Sequence, residues 1–460
     1  MSAYMTANPT TGETERKFDE LTDAEVPQIL ARATDAFASW RTTSATERAQ
    51  LLTRVADAYD ARRDELATVI STEMGKPLAE AQGEVDLAGA IYRWYADNGP
   101  ALLADEVLDP QGSEESLVET APIGPLVGVM PWNYPYYQVA RFVGPNLMAG
   151  NTIVLKHAPI CAASAEVMAE IVHEAGVPQD AYINVFATND QIAQMIADPR
   201  VQGISLTGSE RAGSSVAETA GRNLKKAVLE LGGSDALIVL DDGDVQTTAK
   251  IAATARLSNT GQACNSPKRM IVPNDHVDDF VSTIVDAFES AHIGDPTDPE
   301  TTVGPLSSVT ARDTVVEQVQ RAVEQGATLH TGGDAIDGNG AFMRPAVLTG
   351  VTKDMDAYSE EIFGPVAVVY GVDSPDEAVT LANDVSFGLS GSVWGSDISR
   401  AQQVADQLEV GMAYINEHGT TLPGLPFGGV KRSGFGRELG RWGMGEFVNT
   451  RLRRTSNVKK

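Results

Sequence analysis

Cysteine is nearly absent from the 460-residue chain, which has only Cys161 and Cys264. Two cysteines cannot build a disulfide framework, so the composition suits a reducing, cytoplasmic setting. Long apolar runs are missing as well; none approaches the roughly 20 residues that span a bilayer, which argues against a membrane partner. The opening Met1-Ser2-Ala3-Tyr4-Met5-Thr6 has neither the basic nor the apolar region of an export signal. Lysine is scarce, at 11 against 24 arginines, and 63 acidic residues face 35 basic ones, for a net charge of −28. With no surplus cations to neutralise phosphates, nucleic acid is excluded as a partner. Acid spread along the whole chain with little lysine is the composition of a protein hydrated in concentrated salt, and points to a halophilic source.

What is present is enough for more than one hydrophobic core. The chain is 42% hydrophobic and exceeds the size at which single cores stop growing. Its first hundred residues read as helices. Thr22-Asp23-Ala24-Glu25 and Ser44-Ala45-Thr46-Glu47 have the form of capping boxes, each followed by apolar residues at helical spacing. From Pro125 short apolar runs (126–130, 152–155, 203–206, 236–240, and later 270–272 and 366–370) alternate with helical stretches and Gly/Pro turns. That alternation predicts an α/β protein with parallel sheets. Residues 332–340 read as a turn-rich loop, and no internal repeat or low-complexity linker separates the domains.

The chemistry centres on Gly261-Gln262-Ala263-Cys264, 34 residues beyond the carboxylate of Glu230 in Glu230-Leu231-Gly232-Gly233. A lone cysteine is most often a buried structural residue. Cys264, however, follows a glycine and has the polar neighbours Gln262, Asn265 and Ser266, the semi-exposed setting in which a thiol with a free pKa of about 8.5 can ionise and react. Cys161, among small apolar residues, reads as structural. Thr207-Gly208-Ser209-Glu210-Arg211-Ala212-Gly213 follows an apolar run, as a strand-turn-helix phosphate site does, but matches neither GxGxxG nor a P-loop. Gly434-Phe435-Gly436 has no preceding strand and reads as a decoy. Asn133, in the rigid Pro131-Trp132-Asn133-Tyr134-Pro135, presents an amide suited to an oxyanion hole, although a plain turn residue is the default there. The acidic run Asp241-Asp242-Gly243-Asp244 reads as a helix cap at Asp244, and no metal site is expected.

In their order and spacing these motifs resemble the aldehyde dehydrogenase superfamily over nearly the whole chain. Gly150-Asn151-Thr152 through Lys156, Glu361-Ile362-Phe363-Gly364-Pro365, and Pro426-Phe427-Gly428-Gly429 with Lys431 and Ser433-Gly434 complete the set. The resemblance implies a Rossmann-like coenzyme domain (1–103 and 123–232), an α/β catalytic domain (233–444), a small β oligomerisation element (104–122 and 445–460), and a homodimer or homotetramer. It implies that Cys264 attacks an aldehyde, that Asn133 holds the oxygen of the thiohemiacetal, and that Glu230 activates the water that hydrolyses the thioester. Trp132, Lys156, Gly208, Ser209, Gly213, Glu361 and Phe363 become expected coenzyme contacts. Three positions after Lys156, where many NAD-restricted members place a glutamate, this chain has Pro159, so the expected coenzyme is NAD or NADP.

The short N-terminus and Leu155-Lys156-His157-Ala158-Pro159 are most similar to the shorter succinate-semialdehyde dehydrogenases. In such enzymes an arginine at the place of Arg141 binds the distal carboxylate, and Thr421 (with Thr420) could add a hydroxyl; a structural salt bridge is the competing reading of Arg141. Ser258 stands where those enzymes use a second arginine, and Ser266 replaces a second cysteine that some members use as a redox switch. The alternative is a broad-range aliphatic or aromatic aldehyde dehydrogenase. CoA-acylating chemistry is disfavoured by Glu230, a non-catalytic binding protein by the intact Cys264, Glu230 and Asn133, and a hydrolase would need Cys264 paired with His418.

Overall fold

The computed structural model describes residues 4–241 and 243–456; Met1 to Ala3, Asp242 and the tail 457–460 lie outside the described residues. The apolar runs form strands where the alternation places them, with ends shifted by at most three residues. Pro125–Val129, Thr152–Lys156, Gly203–Thr207 and Lys226–Glu230 join Tyr182–Asn184 in one parallel sheet, whose far edge is closed antiparallel by Gly434–Phe435. Numbered along the chain, its five parallel strands lie in the order 3-2-1-4-5. Pro125–Val129 is therefore the switch point, and the crevice beyond the carboxyl ends of such a sheet is where nucleotides bind. Trp132, Lys156, Gly208 and Glu230 all sit at or just past these ends.

A second sheet of seven strands has Asp235–Val239 near its centre, flanked by Pro267–Pro273 and Ser390–Trp394. It is parallel apart from the edge strand Thr328–Thr331. Glu230 ends a strand of the first sheet and Asp235 begins one of the second. The intervening four residues bring the carboxyl end of one sheet to the amino end of the other. A separate three-stranded antiparallel sheet contains Glu106–Leu108, Glu115–Pro122 and, on the outside, Val448–Thr455. No described helix is long and apolar enough to cross a membrane.

Helix starts follow the local chemistry, with two departures. Ser44 forms a full capping box with Glu47 ahead of Ala45–Ala61. At Thr22 only the Glu25 side chain bonds back, to the backbone N–H and hydroxyl of Thr22, and the helix begins at Val26 with Pro27 in its first turn. The expectation of an all-helical first hundred residues also fails at its start, where Met5–Ala7 and Thr14–Lys17 form a hairpin. Asp244 caps Val245–Leu257, as its place in the acidic run predicts, by accepting from the Thr247 N–H at 3.0 Å.

Candidate active site

The helix Pro135–Ala149 is buried along its whole length, and its proline at the first position needs no hydrogen-bond acceptor. The backbone N–H groups of Tyr136 and Tyr137 donate to Glu84, itself ion-paired with the buried Lys76. This fixes the helix start and the loop ahead of it. Asn133 Nδ2 donates to Gln262 O at 2.9 Å, Gln138 Nε2 donates to Asn133 Oδ1 at 2.9 Å, and Asn259 Nδ2 donates to Asn133 O at 2.9 Å. The side-chain amide is thus held at both its nitrogen and its oxygen, the backbone carbonyl is fixed by Asn259, and one Nδ2 proton remains outside these bonds.

Asn133 and Cys264 line one cavity of about 260 Å³ together with Trp132, Gly208, Ser209, Glu361 and Phe363. The glycines of Glu230-Leu231-Gly232-Gly233 make room for it. A Cβ on Gly232 would lie 2.3 Å from Glu361 Oε2, and one on Gly233 would lie 2.5 Å from Cys264 O. Their absence lets the Glu361 carboxylate accept from the Gly233 N–H at 3.1 Å, within 3.3 Å of Lys268 Nζ. Trp132 and Phe363 meet edge to face, with centroids 5.7 Å apart. Ser209 caps the helix Glu210–Arg222, and Gly213 lies against Leu231, where a Cβ would come within 2.6 Å.

Burial pushes the Cys264 thiol up to about 12, against the pull of Arg141 and Lys268. Free thiolate is therefore scarce at neutral pH. Glu230 is 2% exposed, and neither carboxylate oxygen has a hydrogen-bond partner. Burial raises it well above the usual carboxylate range, and the Glu438 charge raises it further, while Arg141 and Arg437 oppose. A carboxylate with unused lone pairs and a raised pKa is a stronger base than an exposed one. Cys161 is fully buried, as its apolar surroundings predict.

Lys156 lies outside this cavity, in a neighbouring one of about 330 Å³ that also includes Asn189, Arg211 and Ser215 and has no Asp or Glu in its lining. Burial alone lowers the ammonium to about 8. Its Nζ donates to the His157 carbonyl at 3.4 Å and lies 5.6 Å from the centre of the Tyr4 ring. A buried cation without a carboxylate partner among the described residues, sharing a cavity with a second cation, suits a phosphorylated ribose.

Neither Arg141 nor Thr421 lines the Cys264 cavity. Arg141 is 1% exposed, ion-paired to the buried Glu438, and donates to Tyr137 Oη at 3.1 Å and Thr207 Oγ1 at 3.0 Å. The expected free fork for a substrate carboxylate is therefore engaged by protein groups, because a guanidinium buried this deeply requires a counter-charge. Its salt bridge is interior rather than on a helix surface. Thr421 sits half-buried in the loop before Phe427. His418 is held down to about 4 by burial, and no hydrogen bond joins it to Cys264 among the described residues, so the hydrolase pairing has no geometric support. Gly434–Phe435 is a short edge strand paired to Glu230 and Leu229, in keeping with its reading as a decoy for phosphate. Sequence reasoning missed Gln138, whose partner Asn133 is only five residues away, and Asn259, Glu438, Arg256 and Lys268, whose roles depend on partners far along the chain.

Comparison with known proteins supplies the rest. The model of the aldehyde dehydrogenase family matches residues 2–452. A Deinococcus radiodurans protein named succinate-semialdehyde dehydrogenase (NADP+) is 53% identical over 99% of this chain and 96% of its own length. A Mycobacterium avium protein of the same name is 43% identical over 97% of this chain and 95% of its own. The crystal structure of a Streptococcus pyogenes succinic semialdehyde dehydrogenase in complex with NADP+ superposes with a TM-score of 0.96 at 44% identity, covering 99% of this chain and all of that one.

Proposed function

The chain belongs to the aldehyde dehydrogenase family, and from that premise we propose that it oxidises succinate semialdehyde to succinate with NADP. The carrying observation is the convergence of Cys264 and Asn133 on one cavity; Glu230 is outside that cavity's lining, but it is buried and unbonded, and its charge acts on the Cys264 thiol. Cys264 Sγ gives up its proton to solvent water and bonds to the aldehyde carbon. The carbonyl oxygen takes the charge against the remaining Nδ2 proton of Asn133 and the backbone N–H of Cys264. The coenzyme, when bound, supplies the hydride acceptor. Loss of the C–H bond with its electron pair leaves a thioester on Cys264. Glu230 then takes a proton from water as that water adds to the thioester carbon; the C–S bond breaks and the acid leaves.

Trp132, Glu361 and Phe363 are assigned to the nicotinamide end of the coenzyme, Gly208 and Ser209 to its pyrophosphate, with Gly213 packing the helix behind them, and Lys156 to the adenosine ribose. Lys156 and Arg211, with Pro159 in place of a glutamate, favour NADP over NAD. We assign residues 1–103 and 123–232 to the coenzyme domain and 233–444 to the catalytic domain. The outer strand Val448–Thr455, with Leu452 60% exposed, is assigned to contacts between subunits.

The engagement of Arg141 by Glu438 favours one alternative, a broad-range aldehyde dehydrogenase in which no side chain grips a distal carboxylate. A kcat/KM panel of succinate semialdehyde, butanal and benzaldehyde with NADP and NAD tests both readings. The proposal expects the highest value for succinate semialdehyde with NADP. Equal values across the aldehydes establish the broad-range reading.

A further inference from the structure

Ahead of the nucleophile, Asn259 (φ 51°), Thr260 (φ 53°) and Gly261 (φ 73°) adopt left-handed backbone in succession. The conformation suits glycine but not a β-branched residue such as Thr260, and it persists only where its surroundings over-determine it. Part of the restraint comes from the Asn259 N–H, which donates to Glu80 Oε2 at 2.6 Å, and from Thr260 Oγ1, which donates to Gly304 O at 3.1 Å. The rest comes from Arg256, which is fully buried. Its Nη1 donates to Gly261 O at 3.1 Å and Ser266 Oγ at 2.9 Å, and its Nη2 to Ile362 O at 2.8 Å and to Gly364 O. Nε donates to Val366 O at 2.6 Å. Every N–H of the guanidinium is used, on two segments, and no carboxylate is among the acceptors.

The two segments touch directly. A Cβ on Gly261 would lie 2.3 Å from Gly364 O, so that glycine is required by close approach as well as by its φ. A second buried cation makes the same connection from the other side of the turn. Lys268 Nζ donates to Ala263 O at 2.9 Å and Cys264 O at 2.7 Å, and lies 3.3 Å from Glu361 Oε1.

We propose that Arg256 and Lys268 are positioning residues that suture the turn carrying Cys264 to the segment carrying Glu361 and Phe363, and so set the nucleophile's distance from the hydride acceptor. The inference rests on the functional reading above, in which that segment contacts the coenzyme. Buried cations suit the task better than apolar side chains, because a planar fork and an ammonium fix several carbonyls at once. The step they serve is cleavage of the C–H bond in the thiohemiacetal, where misplacement by about 1 Å can cost on the order of a hundredfold. Attack of the thiol on a small electrophile needs no such register.

The test uses the full-length protein and the variants Arg256→Lys, Lys268→Met and Lys268→Arg, with circular dichroism to establish folding. Alkylation of Cys264 by iodoacetamide reads the thiol alone, NADP titration reads coenzyme affinity, and single-turnover NADPH formation from [1-1H] and [1-2H] aldehyde reads hydride transfer. Lys268→Met also removes a charge that lowers the Cys264 thiol, so alkylation slows, but by less than hydride transfer, which falls by about ten- to a hundredfold with a larger deuterium effect. Lys268→Arg should recover much of the loss. Arg256→Lys, if it folds, should behave like Lys268→Met. Equal losses in alkylation and hydride transfer, or no loss in either, would overturn the proposal. A wild-type protein that reduces no coenzyme with any aldehyde would instead overturn the functional reading and this inference with it.

Discussion

Replacing Arg141 with leucine separates two roles that the sequence offers for one side chain. The guanidinium and its partner Glu438 are both interior, with side chains 1% and 5% exposed. Removing the cation alone leaves a buried, unpaired carboxylate, which costs about 3–5 kcal/mol in comparable sites. Burial already raises Glu438 while Arg141 opposes that rise, so in the variant Glu438 takes up a proton. Exchanging both residues for leucine removes the charge together with its partner and should recover most of the lost melting temperature. Catalysis responds separately. Arg141 is the strongest influence opposing the desolvation of Glu230; without it the carboxyl keeps its proton to higher pH. The base form fills as pH rises, so the lower limb of the kcat profile should move upward in both variants. Deacylation follows oxidation of the carbon, and succinate semialdehyde and butanal should lose kcat alike. A direct fork to the distal carboxylate would be worth about 1.5–3 kcal/mol, or about one to two decades in kcat/KM, for succinate semialdehyde only. A selective loss of that size, with butanal spared, would refute the reasoning.

Cys264→Ser should abolish coenzyme reduction while leaving NADP binding intact, and Cys161→Ser should be nearly neutral; activity surviving in the first variant would remove the thiol from the mechanism. Because burial pushes Cys264 up to about 12, alkylation of the coenzyme-free protein should go on accelerating past the ordinary thiol range near pH 8.5, and a plateau below pH 9 would contradict the burial argument. Glu230→Gln should give a burst of about one NADPH per site followed by a slow steady state; slow formation with no burst would place Glu230 before hydride transfer. With 63 acidic residues against 35 basic ones, self-repulsion should weaken the protein at low salt, and melting temperature and activity should rise together from 0.1 to 3 M KCl as the Debye length falls toward about 3 Å. A flat profile would detach the composition from salt.

What the sequence made legible follows from the range of the forces involved. The parallel sheets could be read because each strand announces itself by a local apolar run between turns, and the loops at their ends because Gly232, Gly233 and Gly261 mark places where a Cβ would collide with Glu361, Cys264 or Gly364. The cap at Ser44 was equally local, and the one at Thr22 was displaced by a proline five residues on. Partnerships across the chain were not legible. Arginine at position 141 is compatible with a substrate carboxylate, but the residue that engages it, Glu438, is 297 positions away and nothing in its own neighbourhood names its partner. The same holds for Arg256, which reads as the basic end of an ordinary helix until Ile362 and Gly364 are folded over it. Charged side chains gain their roles from whatever lies opposite when water is removed, because burial makes a partner obligatory without specifying which. In this protein the groups assigned to the chemistry sit on locally recognisable turns and strand ends, while the buried cations that bond to those segments can be recognised only once both sides of each contact are in place.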